Sequence, residues 1–420
     1  MTPHDLPLDG CTPTPLAGYL KAIGVLRLIA EQEADPDVRG RWENDRFILT
    51  TILGREDLLR FFLEDYRPSP ITCPWNGRSG FLETEDSTRK GAEVLERIRN
   101  SPASRFQPFQ TTIRTLETLP EIAALKEARL EQKQHLQGSE AFKRLEKHIK
   151  ETRTHLKLVI RNQADDQAVR WLDACFAVAS DQSPAAPLLV SGGLDGSMDF
   201  GVNFLQHLFK LIDPGSGHPL KDAAALLRHT LFSEAVPVLK RGSMGPYTPE
   251  GNGGPNSASS GFSGHPSTNA WDYILAFEGM LPFSGATTRR LDATEGAASF
   301  PFSVSGTAAG HGALASGDEG GKAREVWMPL WATSARWDDL EAVFREGRVT
   351  VNRRPARTGL DFSRAVAQLG VDRGITAFQR FAFLGRSGDN VIATPIGRHR
   401  VKRVRAADLI DDLERDGWLS

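Results

Sequence analysis

Two long tracts with few side chains able to hold a core limit what this chain can fold into. Residues 242–267 are mostly Gly, Ser, Pro and Asn, and residues 296–321 are rich in Gly, Ala and Ser. Such stretches lose much backbone entropy on ordering and bury little apolar surface. Within a compact domain they read as functional loops that order on binding, or as mobile insertions. A third break, PSPITCPWNGRSGF at residues 68–81, is punctuated by Pro and Gly and forbids regular structure there. No run of alternating parallel strands and helices survives these interruptions. A mixed pattern of α and β elements is therefore expected, with short strands and Gly-rich loops.

Between the breaks, periodicity is legible. Tyr19, Ile23, Leu26 and Ala30 share one helical face, so residues 15–32 predict a helix with Thr14 as cap and Pro15 in its first turn. Residues 40–43 and 47–51 predict a hairpin around Asn44-Asp45, and residues 55–66 an amphipathic helix. Residues 88–180 read as helical. Within them, residues 121–161 hold ten Lys/Arg and six Glu, while Phe142, Leu145, Ile149, Leu156 and Ile160 keep a coiled-coil-like spacing. Gly138-Ser139 breaks this run into a helical hairpin. The hairpin reads either as a solvated antiparallel pair or as an arm for nucleic acid or a partner. A second strand hairpin is predicted at residues 378–384 and 391–396, and a last helix at 406–415. Four parts are expected: an α+β part at 1–87, a helical region at 88–180, a glycine-loop region at 181–323 and an arginine-rich α+β part at 324–420.

Charge narrows the function. Across 420 residues, Lys+Arg (51) and Asp+Glu (53) nearly cancel, which excludes a small basic DNA-binding protein, and 40% apolar residues exclude disorder throughout. Residues 341–405 nevertheless carry fourteen Lys/Arg against five Asp/Glu. That excess is either a footprint for phosphate or a surface paired with acidic parts of the same fold. Arg398, Arg400, Lys402, Arg403 and Arg405 form the densest basic run, which as a strand would follow a phosphate backbone or face a charged partner. Cys11, Cys73 and Cys175 are far apart and form no C-x-x-C, so neither a disulfide framework nor a cysteine-rich zinc site is expected, and the setting is a reducing cytoplasm. The first residues carry acids and prolines where a signal peptide would be basic and apolar. No apolar run approaches the length of a membrane span, so no membrane partner is expected.

Two motifs bear on chemistry. Pro187-Leu-Leu-Val190, read as a strand, runs into Ser191-Gly-Gly-Leu-Asp-Gly-Ser197 and then a helix from about residue 199. This resembles the pyrophosphate loop of adenylating ATP pyrophosphatases, except that Gly196 separates Asp195 from Ser197 where those enzymes have Asp followed directly by Ser. An adenylating enzyme using Ser191 to Ser197 is thus an alternative, beside a glycine turn approaching a nucleic-acid backbone. The second motif, Trp75-Asn-Gly-Arg-Ser-Gly-Phe81, combines an aromatic ring, an amide able to read a base edge, a guanidinium and glycines that permit close approach. Its other reading is a buried Trp anchoring a tight turn. His4-Asp5, the only adjacent His-Asp pair, sits near a terminus expected to fray. No catalytic constellation, metal set or cofactor motif is found, so neither catalysis nor a cofactor is expected.

Several long blocks together resemble the Csx-seventeen family, the large subunits of type I-G (formerly I-U) CRISPR Cascade complexes. They are DLPLDGCTPTPLAGYLKAIGVLRLIAEQ, SPITCPWNGRSGF, SGGLDGSMDFGVNFLQHL, AWDYILAFEGMLPFSGA, FPFSVSGTAAGHG, REVWMPLW and RRPARTGLDFSRAVAQLGVDRGITAFQRFAFLGRSGDN. The resemblance runs from Leu6 to about Val404. Leu194 departs from the polar residue expected in the glycine-turn block, which weakens any polar role there. The resemblance implies an irregular α+β fold and a noncatalytic subunit, near the 5′ handle of the crRNA, that helps recognise the protospacer-adjacent motif in double-stranded DNA and open the duplex. It implies the Cascade backbone subunits, a small subunit and a helicase-nuclease as partners, in antiviral defence. Family members usually extend further, so a shorter form or a separately encoded helical part is expected. A stand-alone RNA-binding protein is a further alternative. Under this reading Trp75, Asn76, Arg78, the Gly192-Gly193 turn, Asn252, Gln379 and Arg380 are candidate motif readers. Arg289, Arg290, Arg353, Arg354, Arg357 and the run Arg398, Arg400, Lys402, Arg403 and Arg405 would hold phosphates.

Overall fold

The computed structural model describes residues 2–82, 86–178, 183–189, 194–195, 198–236, 239–241, 244–248, 267–288, 297–305, 324–346, 350–351, 354–355, 361–363, 365, 374–385 and 391–401. It is an α+β protein whose sheets are short and antiparallel. Strand β1 (His4–Leu8) leads into helix α1 (Leu16–Glu31), followed by β2 (Arg39–Glu43) and β3 (Arg46–Thr51). The predicted turn between β2 and β3 is realised with Asn44 and Asp45 both at positive φ, the geometry a two-residue hairpin requires. Far along the chain, β4 (Ser303–Ser305), β5 (Arg324–Trp331) and β6 (Ala335–Arg336) precede the long hairpin β7 (Ile375–Gly385) and β8 (Val391–Arg400). One sheet orders β1-β3-β2-β6, so it brings Ala335–Arg336 beside the N-terminal strands; the other orders β4-β5-β7-β8. His4 and Asp5 pair with Thr51 and Thr50 in the first sheet rather than fraying, because Arg41 Nη1 and Nη2 donate to Asp5 at 2.9 and 2.8 Å.

The helices are α2 (Arg55–Arg60), α3 (Asp86–Arg99), α4 (Gln107–Glu117), α5 (Pro120–Lys133), α6 (Glu140–Gln163), α7 (Asp166–Cys175), α8 (Phe200–Leu208), α9 (Ala223–Phe232), α10 (Ala270–Glu278) and α11 (Trp337–Glu346). α1 begins after Pro15, without a side-chain cap from Thr14. The helix predicted over 55–66 changes winding at Phe61–Asp65, which forms a π turn. Arg105 explains the change. Its buried guanidinium donates to the carbonyls of Tyr66 (2.7 and 3.0 Å), Leu63 (2.8 Å), Phe62 (3.3 Å) and Gly217 (2.9 Å), satisfying groups the helix end leaves open.

One continuous core runs through all four expected parts. At its centre α1, buried from Leu16 to Ile29, crosses α10. The backbones touch: a Cβ on Gly24 would lie 2.1 Å from the Leu275 carbonyl oxygen, and one on Gly279 would lie 1.8 Å from that of Leu20. Charges in this crossing are paired. Arg27 bonds both the carboxylate and the carbonyl oxygen of the fully buried Glu278, whose Oε1 also accepts from Tyr66 Oη (2.5 Å) and Ser69 N–H (2.9 Å). Lys21 Nζ stands 2.6 Å from Asp272 Oδ1. Among the described residues no helix is long and apolar enough to cross a membrane. Cys11, Cys73 and Cys175 are buried free thiols.

Candidate nucleic-acid interface

The WNGRSGF segment folds into a compact turn held at several points. Asn76 N–H donates to the Cys73 carbonyl at 2.9 Å, and Ser79 returns its N–H (3.3 Å) and Oγ (2.7 Å) to the Asn76 carbonyl. Phe81 and Leu82 descend into the core. Gly80, at φ +85°, lies so close to α3 that a Cβ would sit 2.6 Å from the Gly91 carbonyl oxygen. Gly77 lies under the guanidinium of Arg129: a Cβ there would be 2.0 Å from Nη1, so a side chain at this position would displace the Arg129 head. What remains at the surface is a short tip, with Asn76 and Gly77 half-buried and Arg78 exposed.

Trp75 is a correction to the sequence reading. Its ring is buried at 3% exposure and packs edge-on against Phe176, with centroids 5.3 Å apart. It anchors the turn and is not free to stack on a base; its Nε1–H has no acceptor among the described residues.

The turn is seated on the predicted helical hairpin. Gly138 (φ +84°) and the Ser139 cap, which accepts from Phe142 N–H at 3.2 Å, reverse the chain between α5 and α6 as expected. Three cations from this hairpin gather beside the turn. Arg129 on α5 covers Gly77; Arg153 and Lys157 are one turn apart on α6. Lys157 Nζ sits 3.7 Å above the Phe176 ring, behind Trp75. Burial lowers the proton affinity of Arg129, and the Arg78 charge lowers it further. Burial and then the Arg129 charge do the same to Arg153. Burial brings Lys157 down to about 8; Cys175 acts in the opposite sense and Arg153 adds to the drop.

Sequence reasoning left the hairpin as either a solvated pair or a nucleic-acid or partner arm, and singled out none of these three residues. A signal was present. Arg153 and Lys157 fall between Ile149, Leu156 and Ile160, on the stripe that packs inward.

The other predicted residues divide. Gln379 is a correction: it is 4% exposed, donates to the Gly397 carbonyl at 3.1 Å and accepts from Arg398 Nε at 3.3 Å, so it reads nothing outside the fold. Arg380 is a second correction, bonded to Glu325 at 2.6 Å and lying 4.6 Å over the Trp327 ring. Arg398 also pairs with Asp45 at 2.6 Å. These partners come from strands and turns far away in sequence, which explains part of the local arginine excess as internal pairing. Arg400 ends β8, opposite Ala377, and is exposed. Arg354 lies opposite Val351 on a two-residue ladder. Gly192, Gly193, Asn252, Arg289, Arg290, Arg353, Arg357, Lys402, Arg403 and Arg405 lie outside the described residues, as do the predicted helix at 406–415 and most of both glycine-rich tracts.

The alternative chemistry loses its frame. The adenylating reading needs a strand entering the 191–197 loop, but Pro187–Leu189 is a 3-10 turn, and the sheets are antiparallel. The Ser191, Gly192, Gly193, Gly196 and Ser197 positions are themselves outside the described residues. Among the described residues no three His, Cys, Asp or Glu side chains gather as metal ligands do. A cavity of about 550 Å³ beside α2, lined by Gln32, Asp57, Arg60, Phe61 and Arg67, contains none of the predicted residues. No protein-family model matches the chain, and no curated protein matches it.

Proposed function

We propose that this chain is a noncatalytic nucleic-acid-binding subunit, the large subunit of a type I-G CRISPR Cascade complex acting in the cytoplasm, as its resemblance to the Csx-seventeen family implies. In that role it works with crRNA, the Cascade backbone subunits, a small subunit and a helicase-nuclease, and contributes to motif recognition and opening of target double-stranded DNA. Guide pairing supplies most of the sequence specificity, and the protein reads a short duplex motif.

The observation supporting this reading is the mounting of the Asn76–Gly77–Arg78 tip. An amide and a guanidinium stand at the surface on a turn fixed by Trp75, Phe81, Gly77 and Gly80. A rigid tip carrying those two groups suits reading of a base edge at low entropic cost. The test is co-expression with a crRNA-bearing backbone, followed by selection on matched duplexes with a randomised flank. Complexes containing the chain should enrich one short flank, and Asn76→Ala should erase that preference. Enrichment that is the same with and without the chain would overturn the proposal.

A further inference from the structure

The three hairpin cations are set in an arrangement that an internal counter-charge would normally complete. None of Arg129, Arg153 and Lys157 forms an ion pair with a described carboxylate. Three of the six hairpin glutamates pair with other side chains, Glu121 with His155 (3.2 Å), Glu140 with Lys143 (3.2 Å) and Glu151 with Lys147 (3.8 Å). The Nε–H groups of both Arg129 and Arg153 are buried and have no acceptor among the described residues. All three cations are half-buried, so water screens them incompletely. Each also lies within electrostatic reach of the next: Arg78 acts on Arg129, Arg129 on Arg153, and Arg153 on Lys157. Elsewhere in this protein a buried cation is answered by carboxylate or carbonyl oxygens, as for Arg27 and Arg105.

We propose that Arg129, Arg153 and Lys157, beside the Asn76–Arg78 tip, form a binding track for the phosphodiester backbone of a nucleic-acid strand. Arg153 and Lys157 are separated by about 6 Å along the helix axis, comparable with the separation of successive phosphates on a strand. Two guanidiniums beside one ammonium suit phosphate oxygens, because the planar fork of Arg can donate to two oxygens together. The case for an anion rests on the cluster and its lack of a carboxylate partner among the described residues. The choice of phosphodiester rests on the proposed nucleic-acid role.

The test uses the full chain alone. Binding of a short labelled oligonucleotide is titrated at several salt concentrations, with inorganic phosphate as competitor. Arg129→Gln and Arg153→Gln should each weaken binding about tenfold and lower the slope of log affinity against log salt by about one. Because each variant removes a charge that no described carboxylate pairs, each should melt no lower than the wild type without ligand, a result a purely structural cation would not give. Arg153→Lys keeps the charge and should keep most of the salt slope. Melting of the wild type should rise with inorganic phosphate but not with chloride at equal ionic strength. Unchanged affinity and slope in both Gln variants would overturn the track, as would a wild-type melting point indifferent to phosphate together with no oligonucleotide binding. Oligonucleotide binding lost in the variants, without flank enrichment in the co-expressed complex, would leave the track standing and overturn only the Cascade role. Flank enrichment in the complex together with unchanged oligonucleotide affinity and salt slope in both Gln variants would do the reverse.

Discussion

The crossing of α1 with α10 and the seat of the 73–81 turn on the α5–α6 hairpin both hold cations away from bulk water, and they treat them oppositely. In the crossing, Arg27 meets Glu278 and Glu31, and Lys21 meets Asp272. Tyr66 and Ser69 use up the remaining capacity of Glu278. In the hairpin seat, Arg129 and Arg153 leave buried donors open, and Lys157 has a ring where an acid would serve better. A buried pair that is complete holds structure together. A half-buried set of one sign costs stability, and a fold that keeps it retains a capacity to bind. The two regions therefore predict opposite signs for the same kind of substitution.

The largest effect belongs to the crossing. Glu278→Gln removes the charge facing Arg27 and should lower unfolding free energy by about 3–5 kcal/mol, measured by denaturant titration. The double variant Arg27→Met/Glu278→Gln should recover part of that loss, since no lone charge is left buried. Full additivity of the two single changes would show that the pair does not act as a unit. Next comes the backbone contact beneath it. Gly24→Ala places a methyl 2.1 Å from the Leu275 carbonyl oxygen. It should cost up to about 3 kcal/mol by forcing the helices apart, and a melting point equal to the wild type would refute the close approach.

Much of the frame was legible in the sequence. Asn44-Asp45 announced its hairpin because few residue pairs tolerate two positive φ angles, and Gly138-Ser139 announced the reversal between α5 and α6 for related reasons. The candidate site was legible only in part. Asn76 and Arg78 were found from the motif, but Trp75 was open to two readings until its packing against Phe176 decided for the anchor. Arg129, Arg153 and Lys157 stayed hidden because a charge on a charged helix carries no mark of which neighbour it lacks. Gln379, Arg380 and Arg398 misled for the converse reason: Glu325 and Asp45, which answer two of them, are distant in sequence. Periodicity reports which face a residue is on, and pairing depends on what another segment brings to that face.

A smaller effect sharpens the comparison from the acidic side. Asp199 caps α8, accepting from Val202 N–H at 2.7 Å, yet its other oxygen has no partner among the described residues. Burial raises it to about 7, against the pull of the Val202 and Gly201 N–H groups. A carboxyl raised in the folded state stabilises fully below its ordinary value of 3.8, and that stability is lost as pH rises through about 7. His207, stacked on Tyr273 and brought down to about 3 by burial, acts in the opposite sense as pH falls below 6.5. The comparison of wild type with Asp199→Asn isolates the first slope, because Asn still caps the helix. The variant should be more stable at neutral pH by about 2 kcal/mol, with the gap closing as pH falls toward 4. A gap independent of pH would place the effect outside this titration.

The hairpin seat gives the smallest effect and the reversed sign. Lys157→Met keeps a long unbranched chain over Phe176 and removes the ammonium. The ammonium is disfavoured by burial first and by Arg153 next, with Cys175 acting the other way, so that Lys157 falls from 10.5 to about 8 in the folded protein. A lysine depressed on folding binds its proton more tightly when unfolded. The stability it permits is present above 10.5 and is lost as pH falls through about 8. At neutral pH the wild type therefore bears the full cost, and Lys157→Met should be more stable by about 1 kcal/mol once partial solvent screening is allowed for. That advantage should hold below about pH 8 and shrink between 8 and 10.5. Calorimetric melting of both proteins across this range reads the difference directly. A variant less stable at neutral pH would mean that Lys157 is answered within the fold, and the hairpin seat would then resemble the α1–α10 crossing.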